Sequence, residues 1–169
     1  MKISMHTIVV DQCSQILDNL SKILDKGAAY AEAKKFEPAV LVNARLAPDM
    51  FALARQVQVA TDMVKNGVAR LVGQEAPKFE DNEKTIDELK ARLAKTIDYI
   101  KSVPASAFEG SEDRDIKIPL RDRSLEMKGL PYVRNWILPN FYFHATMVYA
   151  ILRHNGVELG KPDFLGAIS

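Results

Sequence analysis

Apolar residues recur at three- and four-residue steps through most of the chain. Cys13, Ile16, Leu20, Ile23 and Leu24 share one helical face, with Asp18, Asn19, Ser21 and Lys22 between them. That spacing predicts a first helix from about Ser4 to Asp25. Gly27 weakens it, the alanine-rich run to Lys35 continues it with a bend, and Pro38 stops it. A short apolar run, Ala39 to Leu46, leads to Pro48, which suits the first turn of a second helix. Met50, Leu53, Val57, Ala60 and Val64 form its stripe to about Leu71, and Gly73 stands where it should end. Gln74 to Lys84 is polar, carries Pro77, and reads as an exposed loop.

The third helix has the clearest start. Thr85 followed by Glu88 is a capping box, in which each side chain satisfies a free backbone N–H near the other residue. Ile86, Leu89, Leu93, Ile97 and Ile100 follow as its stripe, and Pro104 ends it. Between Ser106 and Gly129 the period falls to two. Ile116, Ile118 and Leu120 alternate with polar positions or proline, as do Leu125 and Met127, so a β-hairpin is expected with Pro119 at an edge. Pro131 then opens a fourth helix ending at Asn155-Gly156. Inside it Pro139 cannot donate to the Asn135 carbonyl, so a kink is expected there. The reading is all-α: a four-helix bundle with a small hairpin between helices three and four.

At 169 residues the chain fits a single domain, residues 1–169. Lys and Arg total 23 against 22 Asp and Glu, a net charge of +1, so nothing favours nucleic acid or an anionic membrane surface. The longest apolar stretch, Phe141 to Leu152, contains His144 and Thr146 and falls short of the roughly 20 residues of a membrane helix. No targeting segment is evident at the N-terminus, and a single cysteine forms no internal disulfide. A cytoplasmic protein is expected.

Phosphate loops, C-x-x-C, H-E-x-x-H and the nucleophile elbow are absent from the sequence. What remains is polar residues on helix seams. Asn140 and His144 are four apart and project from one face of the fourth helix. Gln56 lies at the margin of the second helix's stripe, and His6 heads the first. Together they could line a ligand or metal pocket at one end of the bundle. The plainer reading is that each is a hydrogen-bonded core polar group. His154 suits a helix C-terminus, and Cys13 an inert buried thiol. Trp136, Phe141, Tyr142, Phe143 and Tyr149 supply core or subunit interface, and a symmetric homodimer is expected.

Three stretches carry a resemblance. Leu46-Ala47-Pro48-Asp49-Met50-Phe51, Gln56-Val57-Gln58 and Pro139-Asn140-Phe141-Tyr142-Phe143-His144 look like a bacterial domain-of-unknown-function family. The ending Ile151-Leu152-Arg153-His154-Asn155-Gly156, with Gly160-Lys161 and Asp163, fits it too. That family resembles the DinB/YfiT-like helical-bundle superfamily of metalloenzymes. The resemblance implies a commonly dimeric bundle, whose better-known members hold a divalent metal with one histidine on the second helix and an H-x-x-x-H on the fourth. Carried over residue by residue, His144 matches the last histidine, Asn140 the first of that pair, and Gln56 the one on the second helix. Two of three imidazoles are thus amides, which suit zinc or nickel poorly. The reading is therefore a bundle with a weak or lost metal site, binding a small ligand or serving structurally. The alternative is a metal-dependent, thiol-dependent transferase with His144 as a ligand to zinc or nickel.

Overall fold

The apolar stripes fold as helices, with a hairpin where the period drops to two. The computed structural model describes residues 4–120 and 122–167. In chain order its elements are α1 (Gln12–Lys34), α2 (Ala39–Val42), α3 (Leu53–Val72), α4 (Ile86–Ser102), β1 (Asp115–Pro119), β2 (Ser124–Lys128), α5 (Gly129–Tyr132), α6 (Leu138–His154) and α7 (Lys161–Leu165). A π-helical turn, Thr7–Asp11, leads into α1, and a second, Val133–Ile137, joins α5 to α6.

Cross-helix contacts fix the directions of the four long helices. Lys90 of α4 pairs with Asp25 of α1, while Ile97 and Lys101 share a cleft with Asp11 and Ser14, so these two helices are antiparallel. α3 and α6 are antiparallel as well: Gln56 meets His144 at one level, and Arg70 donates to the Tyr132 hydroxyl at the other. Arg92 of α4 reaches Thr61 and Asp62 of α3, whereas the loop between the helices returns along α3 to bring Glu83 to Gln58. That return makes α3 and α4 parallel. The stripes of all four close on one continuous core around Leu17, Leu20, Val57, Val64, Leu93, Phe141 and Val148.

The ends follow local chemistry. Thr85 Oγ1 accepts from the Glu88 N–H, and the Glu88 carboxylate accepts from the Thr85 N–H, completing the capping box. The Lys84 N–H donates to the same carboxylate at 2.6 Å, and this bond first, then that from the Thr85 N–H, holds the Glu88 carboxyl below the usual carboxylate range. Gly73 ends α3 at φ +72°, a conformation open to glycine. The hairpin pairs Ile116 with Met127 and Ile118 with Leu125, and Pro119 sits at the last rung opposite Ser124.

Several boundaries differ from expectation. α3 starts at Leu53, five residues after Pro48, because the Leu53 N–H is drawn to the Ala44 carbonyl and Ala52 stays extended as the N-cap. α1 continues through Gly27 to Lys34, as expected; Leu152 and Leu41 lie over the glycine, where a small residue fits. The fourth helical run starts at Gly129, with Pro131 inside its first turn. Pro139 follows a π turn, the wider winding that absorbs the missing donor. The loop at 74–84 is only partly exposed, since Phe79 and Glu83 are half-buried against α3 and α4. Two short helices, α2 and α7, are not predicted by the apolar pattern.

Candidate functional site

The periodicity of α6 turns His144 inward, one turn from Phe141 and Val148, and the first turn of α3 turns Gln56 toward it. The two side chains meet directly, with His144 Nδ1 2.7 Å from Gln56 Oε1. The other end of the Gln56 amide donates to the carbonyl of Phe51 at 3.3 Å. Three rings gather there. Phe51 lies nearly parallel to the imidazole, 22° off with centroids 6.5 Å apart, and Phe143 meets it edge-on at 5.1 Å. Arg55 lies over the Phe51 ring at 5.9 Å and is held by Asp81 and Gln58. Burial first, then the Arg55 charge, lowers the His144 pKa below its ordinary value, so the ring is neutral at pH 7.

The other candidate residues divide. Asn140 does not bond His144; its amide donates to the Trp136 carbonyl at 2.7 Å, supplying a donor to the turn opened before Pro139. His6 stands at the far end of the bundle, where its ring meets Phe108 edge-on at 5.4 Å and Nδ1 lies 3.8 Å from Asp11. The structure therefore brings Gln56 and His144 together, sets Asn140 one turn away, and leaves His6 outside. Cys13 is fully buried, and burial pushes its thiol up to about 12, which leaves no thiolate for chemistry. Sequence adjacency puts Phe143 beside His144, whereas the approach of Phe51 and Arg55 to the imidazole is not predicted by the helical pattern.

His144→Ala removes the partner of a buried Gln56 oxygen and should lower stability by about 1–3 kcal/mol. His154→Ala, on an exposed last turn, should cost under about 1 kcal/mol. Because the folded-state pKa of His144 is lowered, the folded chain takes up that proton later than the unfolded chain as pH falls. Wild-type stability should therefore decline from about pH 6.5 downward, and His144→Ala should flatten that decline. Urea titrations at about pH 7 and about pH 5.5 read both effects. Equal losses in the two variants would mean that His144 carries no buried bond.

The model of a domain of unknown function, DUF1993, matches residues 5–165. The chain belongs to the DUF1993 family. A crystal structure of a DinB family member protein from Shewanella denitrificans is similar to this DUF1993 chain at 44% identity and a TM-score of 0.91, over 97% of this chain and 93% of that one. No protein of curated function matches. The DinB-like resemblance read from the α3 and α6 motifs thus holds for sequence and fold alike. No helix among the described residues is long and apolar enough to cross a membrane.

Proposed function

We propose that this DUF1993 chain is a small-ligand-binding member of the DinB-like bundles in which the family's metal centre is weak or lost. The observation that carries the reading is the 2.7 Å contact between His144 and Gln56. These are two of the three positions onto which the histidines of the resemblance fall, and here they are spent on each other. At the third, the Asn140 amide donates to Trp136. The donor set amounts to one free imidazole nitrogen and amide oxygens, which does not fit zinc or nickel. Among the described residues no cluster of three His, Cys, Asp or Glu side chains offers a replacement.

The test is metal content after purification without chelator. Substoichiometric zinc and nickel are expected. One tightly held transition-metal ion per chain, lost in His144→Ala, would overturn the reading and favour a metal-dependent transferase.

A further inference from the structure

We infer that the outer edge of His144 is a hydrogen-bond acceptor for a neutral planar aromatic or heteroaromatic molecule carrying an O–H or N–H, held against Phe51 and Phe143. This rests on the ligand-binding reading above and adds the chemistry of the ligand.

Hydrogen-bond logic sets the proton on the imidazole. The Phe51 carbonyl can only accept, so the Gln56 end facing it must be the NH2 group. Oε1 then faces His144, and an oxygen can only accept, so Nδ1 must carry the hydrogen. A neutral imidazole protonated at Nδ1 has its lone pair on Nε2. The lowered proton affinity of the ring keeps that lone pair free at neutral pH.

The lone pair is also reachable. Nδ1 makes the ring's hydrogen bond among the described residues, and His144 retains 9% exposure. Among the described residues the fully buried polar atoms without partners lie on Ser14, Tyr99 and Ser111 and do not include Nε2, which therefore keeps some contact with solvent. Phe51 and Phe143, which both pack on the imidazole ring, are 50% and 53% exposed. Two half-exposed phenyl rings offer an aromatic ligand offset or edge contacts. The nearby charge does not call for an anion, because Arg55 is already paired with Asp81. Nor does it welcome a cation. A neutral ring with one donor satisfies both the acceptor and the apolar walls.

Phenol and anisole separate these requirements, since they share a ring and differ in the donor. With protein labelled on histidine nitrogens, the free state should show His144 as the Nδ1–H tautomer. Phenol should shift the Nε2 resonance on titration, and anisole should bind about three- to tenfold more weakly, the worth of one net hydrogen bond. His144→Phe keeps an aromatic wall and should abolish the preference. Phe51→Ser leaves the acceptor and should weaken both probes alike. Equal binding of the two probes to the wild type, an unresponsive Nε2, or an Nε2–H tautomer would overturn the assignment. The metal content of the same sample judges the underlying reading separately: a metal-poor protein that ignores phenol loses only the ligand class.

Discussion

Arg92→Ala should lower stability by about 3–5 kcal/mol, the range for stripping one partner from a buried ionic cluster. The Arg92 side chain is 2% exposed on α4. Its Nε donates to Thr61 Oγ1 at 2.8 Å, and Nη1 donates to the Glu80 carbonyl and the Glu83 carboxylate at 3.0 and 2.9 Å. Nη2 lies 3.0 Å from both Asp62 and Asp81. One planar fork therefore joins α3, α4 and the loop that runs back between them. Phe79 completes the seal, with the Lys65 and Lys95 ammonium groups 4.4 and 4.3 Å from its ring centroid. Truncation at Arg92 leaves Glu83, Asp62 and Asp81 near one another, with Lys65 on Asp62 and Arg55 on Asp81 as the remaining compensation. Lysine should recover only part of the loss, because a single ammonium cannot reproduce the fork. The damage should extend toward the candidate site. Glu83 holds Gln58 and Asp81 holds Arg55, on the same turns of α3 that present Gln56 to His144. Urea titration with limited proteolysis across residues 73–85 checks both parts. A loss under about 1 kcal/mol with an uncut loop would show that other contacts hold it.

That cluster also marks the limit of what sequence patterning reveals. Arg92 lies beside Leu89, Leu93 and Thr96, where a charged residue ordinarily marks the edge of a solvated face. Only the return of residues 73–85 over α3 and α4 buries it, and no helical period encodes that path. Local chemistry was legible where neighbours in sequence decide the outcome: the Thr85–Glu88 cap, the end of α3 at Gly73, and the alternation that pairs Ile116 with Met127. The start of α3 was not, because the bond from Leu53 N–H to Ala44 overrode the preference of Pro48 for a first turn. The packing role of Gly27 was not legible either, since the side chains over it, Leu152 and Leu41, come from other parts of the chain. α7 depends on partners about 140 residues away: Asn19 donates to the Phe164 carbonyl, and Lys26 pairs with Asp163. At the site, helical spacing and family resemblance together put Gln56 and His144 in view. The direct bond between them, the bond from Asn140 back into its own helix, and the distance of His6 are consequences of packing.

Gly129→Ala should be about as disruptive as Arg92→Ala, for a steric reason. A Cβ at Gly129 would stand 1.8 Å from the Ser111 carbonyl oxygen, 2.9 Å from its carbon and 3.3 Å from the Leu71 side chain. The first two atoms are backbone and cannot rotate aside. Nor can the strands of chain easily part, because the adjacent Leu130 N–H donates to the Glu112 carbonyl at 2.9 Å and Ser111 is fully buried. Overpacking usually costs about 1–3 kcal/mol, and a clash with fixed backbone belongs at or beyond the top of that range, so about 3 kcal/mol or more is expected. Gly110→Ala is the control. Gly110 has φ +70° with nothing within 4 Å of the added carbon, so only the left-handed backbone penalty applies. That penalty is about 1–2 kcal/mol. The two variants also differ in reach. Gly129 opens the helical run through α5 and the π turn into α6, which carries His144. A first turn pushed off Ser111 should therefore displace α6 against α3 and loosen the Gln56–His144 bond, visible as a changed His144 nitrogen resonance. Gly110→Ala should leave that resonance in place. If both variants lose the same small amount and His144 is unmoved in each, the close approach of Gly129 to Ser111 does not hold in solution.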